Sequence, residues 1–161
     1  MQYKVVDNFL DPQDFEQIKN TMLDYNFPWY FQDQVNPNHT EQDKDFYLTH
    51  SFYEHTANSN FYPIVEPLIK KIPAKAFLRI KGNSYPNGST LKANKPHVDY
   101  DFEHGGVLFS INTCDGYTTL DDGTKIDSVA NRALFFNAGK LHASSNTTNA
   151  VRRVNININY L

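Results

Sequence analysis

The spacing of hydrophobic residues changes period along this chain. Tyr3 to Val6 reads as a short strand, and Asp11 and Pro12 then supply an N-cap and a first helical position. Phe15, Ile18, Met22 and Tyr25 recur at helical spacing, which predicts a helix over 12–25. The next stretch, NFPWYFQDQVNPNHTEQDKD, mixes aromatics with Asn, Pro and Asp without a period and predicts a long loop or irregular hairpin. Phe46 to Tyr53 reads as a strand. Ile64, Val65, Leu68, Ile69 and Ile72 predict a second short helix, with Pro67 in its first turn and Pro73 ending it.

From Lys75 onward the texture is one of strands and turns. AKAFLRIKG is followed by SYPNGST as a turn, then HVD, GGVLFSINT, DDG as a turn, RALFFN and RRVNININYL. Helices come first and strands later, which predicts an α+β, mainly β protein with a C-terminal antiparallel sandwich or jelly roll and N-terminal helices packed on one sheet. At 161 residues a single domain is expected, with 1–74 as helical support and loop and 75–161 as the β core.

Composition narrows the function classes. With 40% hydrophobic and 20% charged residues and a formal net charge of −3, the chain lacks the basic excess of a nucleic-acid binder. Cys114 is the only cysteine, so no intramolecular disulfide can form. The N-terminus has neither a basic n-region nor an apolar stretch with a cleavage site, and no apolar run approaches membrane-spanning length. Together these predict a soluble protein of the reducing cytoplasm, monomeric or homodimeric.

The candidate chemistry lies in KPHVDYD and AGKLHASS. On a strand, residues two apart share a face, so His97 and Asp99 can both reach one ion while Val98 turns away. His142, 43 residues after Asp99, can return to the same end of the fold. Two imidazoles and one carboxylate are the set that holds non-haem iron(II) on one face and leaves the other positions open. The bland alternative is a surface His–Asp pair beside an unrelated loop histidine. His39, His50, His55 and His104 read as surface or packing residues, with His104 as the rival ligand because it follows Asp99 closely.

The final strand divides by parity. Arg153, Asn155, Asn157 and Asn159 occupy one face, while Arg152, Val154, Ile156, Ile158 and Tyr160 occupy the other. If helices cover the apolar face, the polar face lines an interior pocket and Arg153 points inward. A guanidinium there could hold the distal carboxylate of a dicarboxylate co-substrate bidentately. The alternatives are a solvent-exposed polar face, and Arg152 as the anchor should a bulge switch the parity.

His97-x-Asp99, then His142, then Arg153 eleven residues later on a last strand, resembles the Fe(II)- and 2-oxoglutarate-dependent dioxygenases, within them the prolyl 4-hydroxylase-like branch. LRIKGNSYPNG, SINTCDG and NRALFFNAGKLHAS resemble that branch in order, and the likeness covers Phe77 to Leu161. It implies a double-stranded β-helix. It also implies His97, Asp99 and His142 as catalytic iron ligands, and Arg153, Tyr85 and Ser110 as the 2-oxoglutarate-binding residues. Some relatives carry a second tyrosine where Ser110 stands, and serine is smaller.

The cofactors so implied are Fe(II), 2-oxoglutarate and O2, with ascorbate as a stimulant. The reaction implied is hydroxylation of a peptidyl, in particular prolyl, or small-molecule substrate with release of succinate and CO2. Trp29 to Asp45, with Trp29, Tyr30 and Phe31, could form a substrate lid or simply pack. Two competing readings are a non-catalytic jelly-roll binding module and a cupin-like metal isomerase or lyase.

Overall fold

The computed structural model describes residues 3–34 and 46–161. Its first elements are a strand, β1 (Tyr3–Val6), and a helix, α1 (Pro12–Leu23). Asp11 stands extended before α1 and Pro12 opens it, where a missing N–H costs nothing. Phe15, Ile18 and Met22 form its buried face. The helix stops short of Tyr25, which is 92% exposed and so is not part of the expected stripe.

Three strands follow: β2 (Tyr30–Gln32), β3 (Tyr47–Glu54) and β4 (Thr56–Ala57). Of the loop and irregular hairpin expected after α1, the pairing favours the hairpin: Tyr30, Phe31 and Gln32 pair antiparallel with Thr49, Leu48 and Tyr47. The second helix is split into a 3-10 turn over Tyr62–Val65 and a short helix, α2 (Glu66–Ile69). Pro63 and Pro67 each stand in a first turn, as proline's missing donor demands.

The remaining strands are β5 (Phe77–Pro86), β6 (Gly105–Ser110), β7 (Tyr117–Thr119), β8 (Lys125–Asp127), β9 (Arg132–Asn137), β10 (Ala143–Ser144) and β11 (Arg152–Tyr160). The strand β5 runs on through Ser84, Tyr85 and Pro86, which had been expected in a turn. Tyr85 pairs there with Arg153, and Pro86 is tolerated because it is the last residue of the strand. The DDG turn closes a β7–β8 hairpin, with Gly123 at φ +83 in the left-handed region that suits glycine.

The strands form two sheets. The larger has the order β1-β9-β6-β11-β5-β3-β2, with β4 attached to β3, and the smaller has the order β10-β7-β8. All pairings are antiparallel, in the manner of a double-stranded β-helix. The N-terminal segment thus contributes strands to both edges of the main sheet as well as its helices.

The outer face of the main sheet carries Phe52, Ile80, Val107, Phe109, Val154, Ile156 and Ile158, packed with α1, Val65 and Leu68 into one core. Gly82 is where α1 presses closest: a Cβ there would lie 2.9 Å from Met22 Cε. Leu120, Leu134, Phe136 and Ala138 make a second cluster, packed with Leu108 and Ile126. Among the described residues, no helix is long and apolar enough to cross a membrane.

Candidate metal centre

His97 and Asp99 do not lie on a regular strand. His97 makes a single antiparallel bridge with His142, exchanging both backbone hydrogen bonds at 2.9 Å, and Asp99 N–H donates to Ala138 O at 3.1 Å. Beside it, β10 begins at the residue after His142. This bridge sets the two imidazoles side by side, with centroids 4.6 Å apart. It stands in place of the expected HVD strand, the segment pairing with its neighbour through isolated bridges, Ala93 with Ser145 and His97 with His142.

The donor atoms of His97, Asp99 and His142 all lie within 4.8 Å of one another. Nε2 of His97 is 3.8 Å from Asp99 Oδ1, and Nε2 of His142 is 3.9 Å from Asp99 Oδ2. Nδ1 of His142 sits 2.9 Å from Lys140 O, so the proton is assigned to Nδ1 and Nε2 is left with a lone pair. Burial first, and the His142 ring second, push the His97 imidazole down to about 4, with Asp99 and the Lys95 backbone opposing. A neutral imidazole at neutral pH is the form that binds a metal.

Asp99 is held by three side chains that sequence reasoning did not assign to it. Arg79 Nη2 donates to Oδ1 at 3.0 Å, while Asn157 and Asn159 donate to Oδ2 at 3.0 and 2.8 Å. Burial alone would raise this carboxyl. Arg79, His142 and the two amides outweigh it and hold the group well below the usual carboxylate range. The residues fit a divalent metal: three convergent donors, each oriented by a partner or a backbone bridge.

His104 does not join this set. It is buried, with Nδ1 2.8 Å from Phe102 O and Nε2 3.2 Å from Asn159 Nδ2, so it supports an Asp99 partner from behind. His50 is buried in packing between Pro28 O and Ser59 Oγ, and His39 lies outside the described residues.

The polar face of β11 is turned inward and buried, while Val154, Ile156 and Ile158 meet the helices. Arg153 is 1% exposed. Its Nη1 donates to Ser145 O at 3.1 Å and its Nη2 to Thr118 Oγ1 at 2.9 Å, and its guanidinium lies 5.7 Å from the centre of the Tyr85 ring. Nε has no partner. No carboxylate pairs with this guanidinium among the described residues. Arg152 occupies the opposite face, donating to Leu23 O at 2.9 Å beside Trp29.

Tyr85 and Ser110 are buried as well, Ser110 facing Asn155 across the β6–β11 pair. Trp29 packs, with its indole N–H 3.3 Å from Met22 O, while Tyr30 and Phe31 are exposed. The rest of the lid segment, 35–45, lies outside the described residues.

The inner face of β5 presents Arg79, Lys81, Asn83 and Tyr85. Alternation in FLRIKGNSY carried this signal, in the same way that it did for β11.

No family model matches the chain, and no curated protein matches its sequence. Solved structures match it over nearly its whole length. A viral collagen prolyl hydroxylase from Paramecium bursaria Chlorella virus-1, solved with 2OG, is 14% identical with a TM-score of 0.66, covering 99% of this chain and 95% of that one. A prolyl hydroxylase from Trichoplax adhaerens, in complex with a hypoxia-inducible-factor peptide, is 16% identical with a TM-score of 0.70, covering 99% and 83%. The fold is that of the 2-oxoglutarate–Fe(II) oxygenases. That oxygenase fold is also shared by a non-haem α-ketoglutarate-dependent epimerase of nogalamycin biosynthesis, 11% identical with a TM-score of 0.68, covering 99% and 77%. One fold thus serves a hydroxylase and an epimerase, and function must be argued from this chain's own residues.

Proposed function

We propose that this protein is an Fe(II)- and 2-oxoglutarate-dependent oxygenase that hydroxylates a peptidyl or small-molecule substrate, releasing succinate and CO2. The observation that carries this is a three-donor His97–Asp99–His142 cluster in the same fold as a buried guanidinium, Arg153, that has no acidic partner among the described residues. A buried cation without a counter-charge is costly unless an anion completes it, and a dicarboxylate bound to the metal at one end supplies that anion at the other.

Iron(II), when bound, would supply the redox chemistry by which O2 oxidises both 2-oxoglutarate and a substrate C–H bond, one oxygen atom going to succinate as CO2 leaves and the other to the substrate hydroxyl. The protein's part is orientation. The Lys140 carbonyl fixes the His142 ring, and Arg79, Asn157 and Asn159 fix the carboxylate. Arg153 would take the distal carboxylate, with Tyr85 as an aromatic wall and Ser110 nearby on the cavity face. The likeness to prolyl hydroxylases supports a peptidyl prolyl substrate as the first to be tried.

The test is succinate formation from 2-oxoglutarate in the iron-loaded protein without added substrate. The expected result is measurable turnover that falls at least a hundredfold, roughly, in His97→Ala and Asp99→Ala. Turnover equal to wild type in both variants would refute the assignment. A binding module would give none in wild type, and an isomerase or lyase would consume neither oxygen nor 2-oxoglutarate. Mass spectrometry of candidate peptides and metabolites, seeking the gain of one oxygen, then identifies the substrate.

A further inference from the structure

A second cation on the same inner face makes no ion pair among the described residues. Lys81 lies on the inner face of β5, level with Asn157 on β11, which itself touches Asp99. Two positions earlier on that face is Arg79, which is spent on Asp99, and four positions later is Tyr85, level with Arg153. Lys81 is half-buried, and its Nζ finds only the Tyr47 hydroxyl, at 3.3 Å, with the Tyr47 ring 5.5 Å away. Tyr47 is itself fixed by stacking on Tyr85, with centroids 5.5 Å apart.

The inner face thus carries three cations, Arg79, Lys81 and Arg153, against the single carboxylate of Asp99 among the described residues, and a divalent metal would add two more positive charges, an excess that favours a dianion. In the β5–β11 register Lys81 stands between Arg79, which holds the metal-ligand carboxylate, and Tyr85, which is level with the Arg153 anchor. Beside it, Asn83 Oδ1, Asn155 Nδ2 and Asn157 Oδ1 are buried without partners, as expected of atoms that face a ligand.

Resting on the oxygenase reading above, we propose that Lys81, positioned by Tyr47, is a second anchor for 2-oxoglutarate and takes its metal-side carboxylate, leaving the distal carboxylate to Arg153. The lysine is prepared for this. Burial first, and Arg79 second, pull its ammonium down to about 8, while Asp99 and Glu54 pull it back up. A bound carboxylate restores the charged form and gains a charge-assisted hydrogen bond in a sheltered site.

The test is calorimetric binding to Zn(II)-loaded protein, which needs no turnover, with three probes. These are 2-oxoglutarate, 2-oxopentanoate, which lacks the distal carboxylate, and levulinate, which replaces the metal-side carboxylate by a methyl group. Lys81→Met should weaken 2-oxoglutarate and 2-oxopentanoate at least tenfold, roughly, and leave levulinate within about threefold. Arg153→Met should do the reverse, weakening 2-oxoglutarate and levulinate.

Equal 2-oxoglutarate affinity in wild type and Lys81→Met overturns the proposal, and so does a Lys81→Met loss confined to levulinate. Failure of 2-oxoglutarate to bind the wild-type protein would instead overturn the oxygenase reading itself. Lys81→Arg, which keeps the charge, should retain more 2-oxoglutarate affinity than Lys81→Met, while a merely structural lysine would show no such order.

Discussion

The two faces of β11 are buried to the same degree and do opposite work. On one, Val154, Ile156 and Ile158 are sealed against α1 and the rest of the core; on the other, Arg153, Asn155, Asn157 and Asn159 are equally shut away from bulk water. Apolar burial on the first face stabilises by roughly 25 cal/mol per Å². On the second, each polar group must find a partner or lose free energy, and Arg153 Nε, Asn155 Nδ2, Asn157 Oδ1 and Asn159 Oδ1 find none. Burial alone therefore does not mark a core. The second face is assembled at a cost in stability, which a ligand supplying the missing partners would recover.

The sharpest way to break this comparison is to alter one residue from each face. Ile156→Ala leaves a cavity among packed neighbours and should destabilise the fold by about 3 kcal/mol, with metal and co-substrate affinity nearly unchanged. Arg153→Met removes a buried charge that lacks an acid, so stability should hold or rise, while 2-oxoglutarate affinity falls by roughly a hundredfold. Chemical denaturation and calorimetric titration of both variants check this. Arg153→Met unfolding like Ile156→Ala would mean that the guanidinium is structural and that the two faces are alike.

A smaller effect is expected at Gly116. A Cβ there would lie 2.6 Å from Arg153 Cδ and 2.6 Å from Asn146 O, so the glycine makes room for the arginine stem against backbone that cannot yield. Gly116→Ala should displace the guanidinium from Thr118 and weaken 2-oxoglutarate binding by about tenfold, at roughly 1–2 kcal/mol of stability. The ratio of the two losses sharpens the comparison, since a purely steric core defect would lower stability without selectively weakening binding.

Much of this difference was readable beforehand, for a physical reason. Strand side chains alternate, so RRVNININY separates its faces without any coordinates, and Arg153 could be placed opposite Val154 before the fold was known. The His-x-Asp pair and the later histidine were legible as chemistry because few ligand sets suit iron(II). What alternation does not reveal is which strands become neighbours. Arg79 meets Asp99 across 20 residues, and Thr118 meets Arg153 across 35, through pairings set by the whole sheet order. The helix ending at Leu23 was missed similarly, since Tyr25 matched the helical period but had nothing to pack on, and the choice between loop and irregular hairpin after it was left open because β2 exists only where β3 offers it an edge.

The least of these effects carries the electrostatic half of the comparison. Lys81 titrates near 8 in the folded protein, against an ordinary lysine value of 10.5, so between those values the unfolded chain holds a proton that the folded one has released. Stability owed to this group therefore increases as pH rises from about 8 towards 10.5, and is lost again as pH falls from 10.5 to about 8, below which it no longer changes. Lys81→Met has no such group. The variant should be the more stable protein at pH 7, by roughly 1–2 kcal/mol or about 3–6 °C in melting temperature, and the wild type should close that gap as pH rises. Melting curves across this window measure it directly. Parallel pH profiles would show that water reaches the ammonium freely, and the inner face would then owe its cost to the unpaired amides and Arg153 rather than to crowded positive charge.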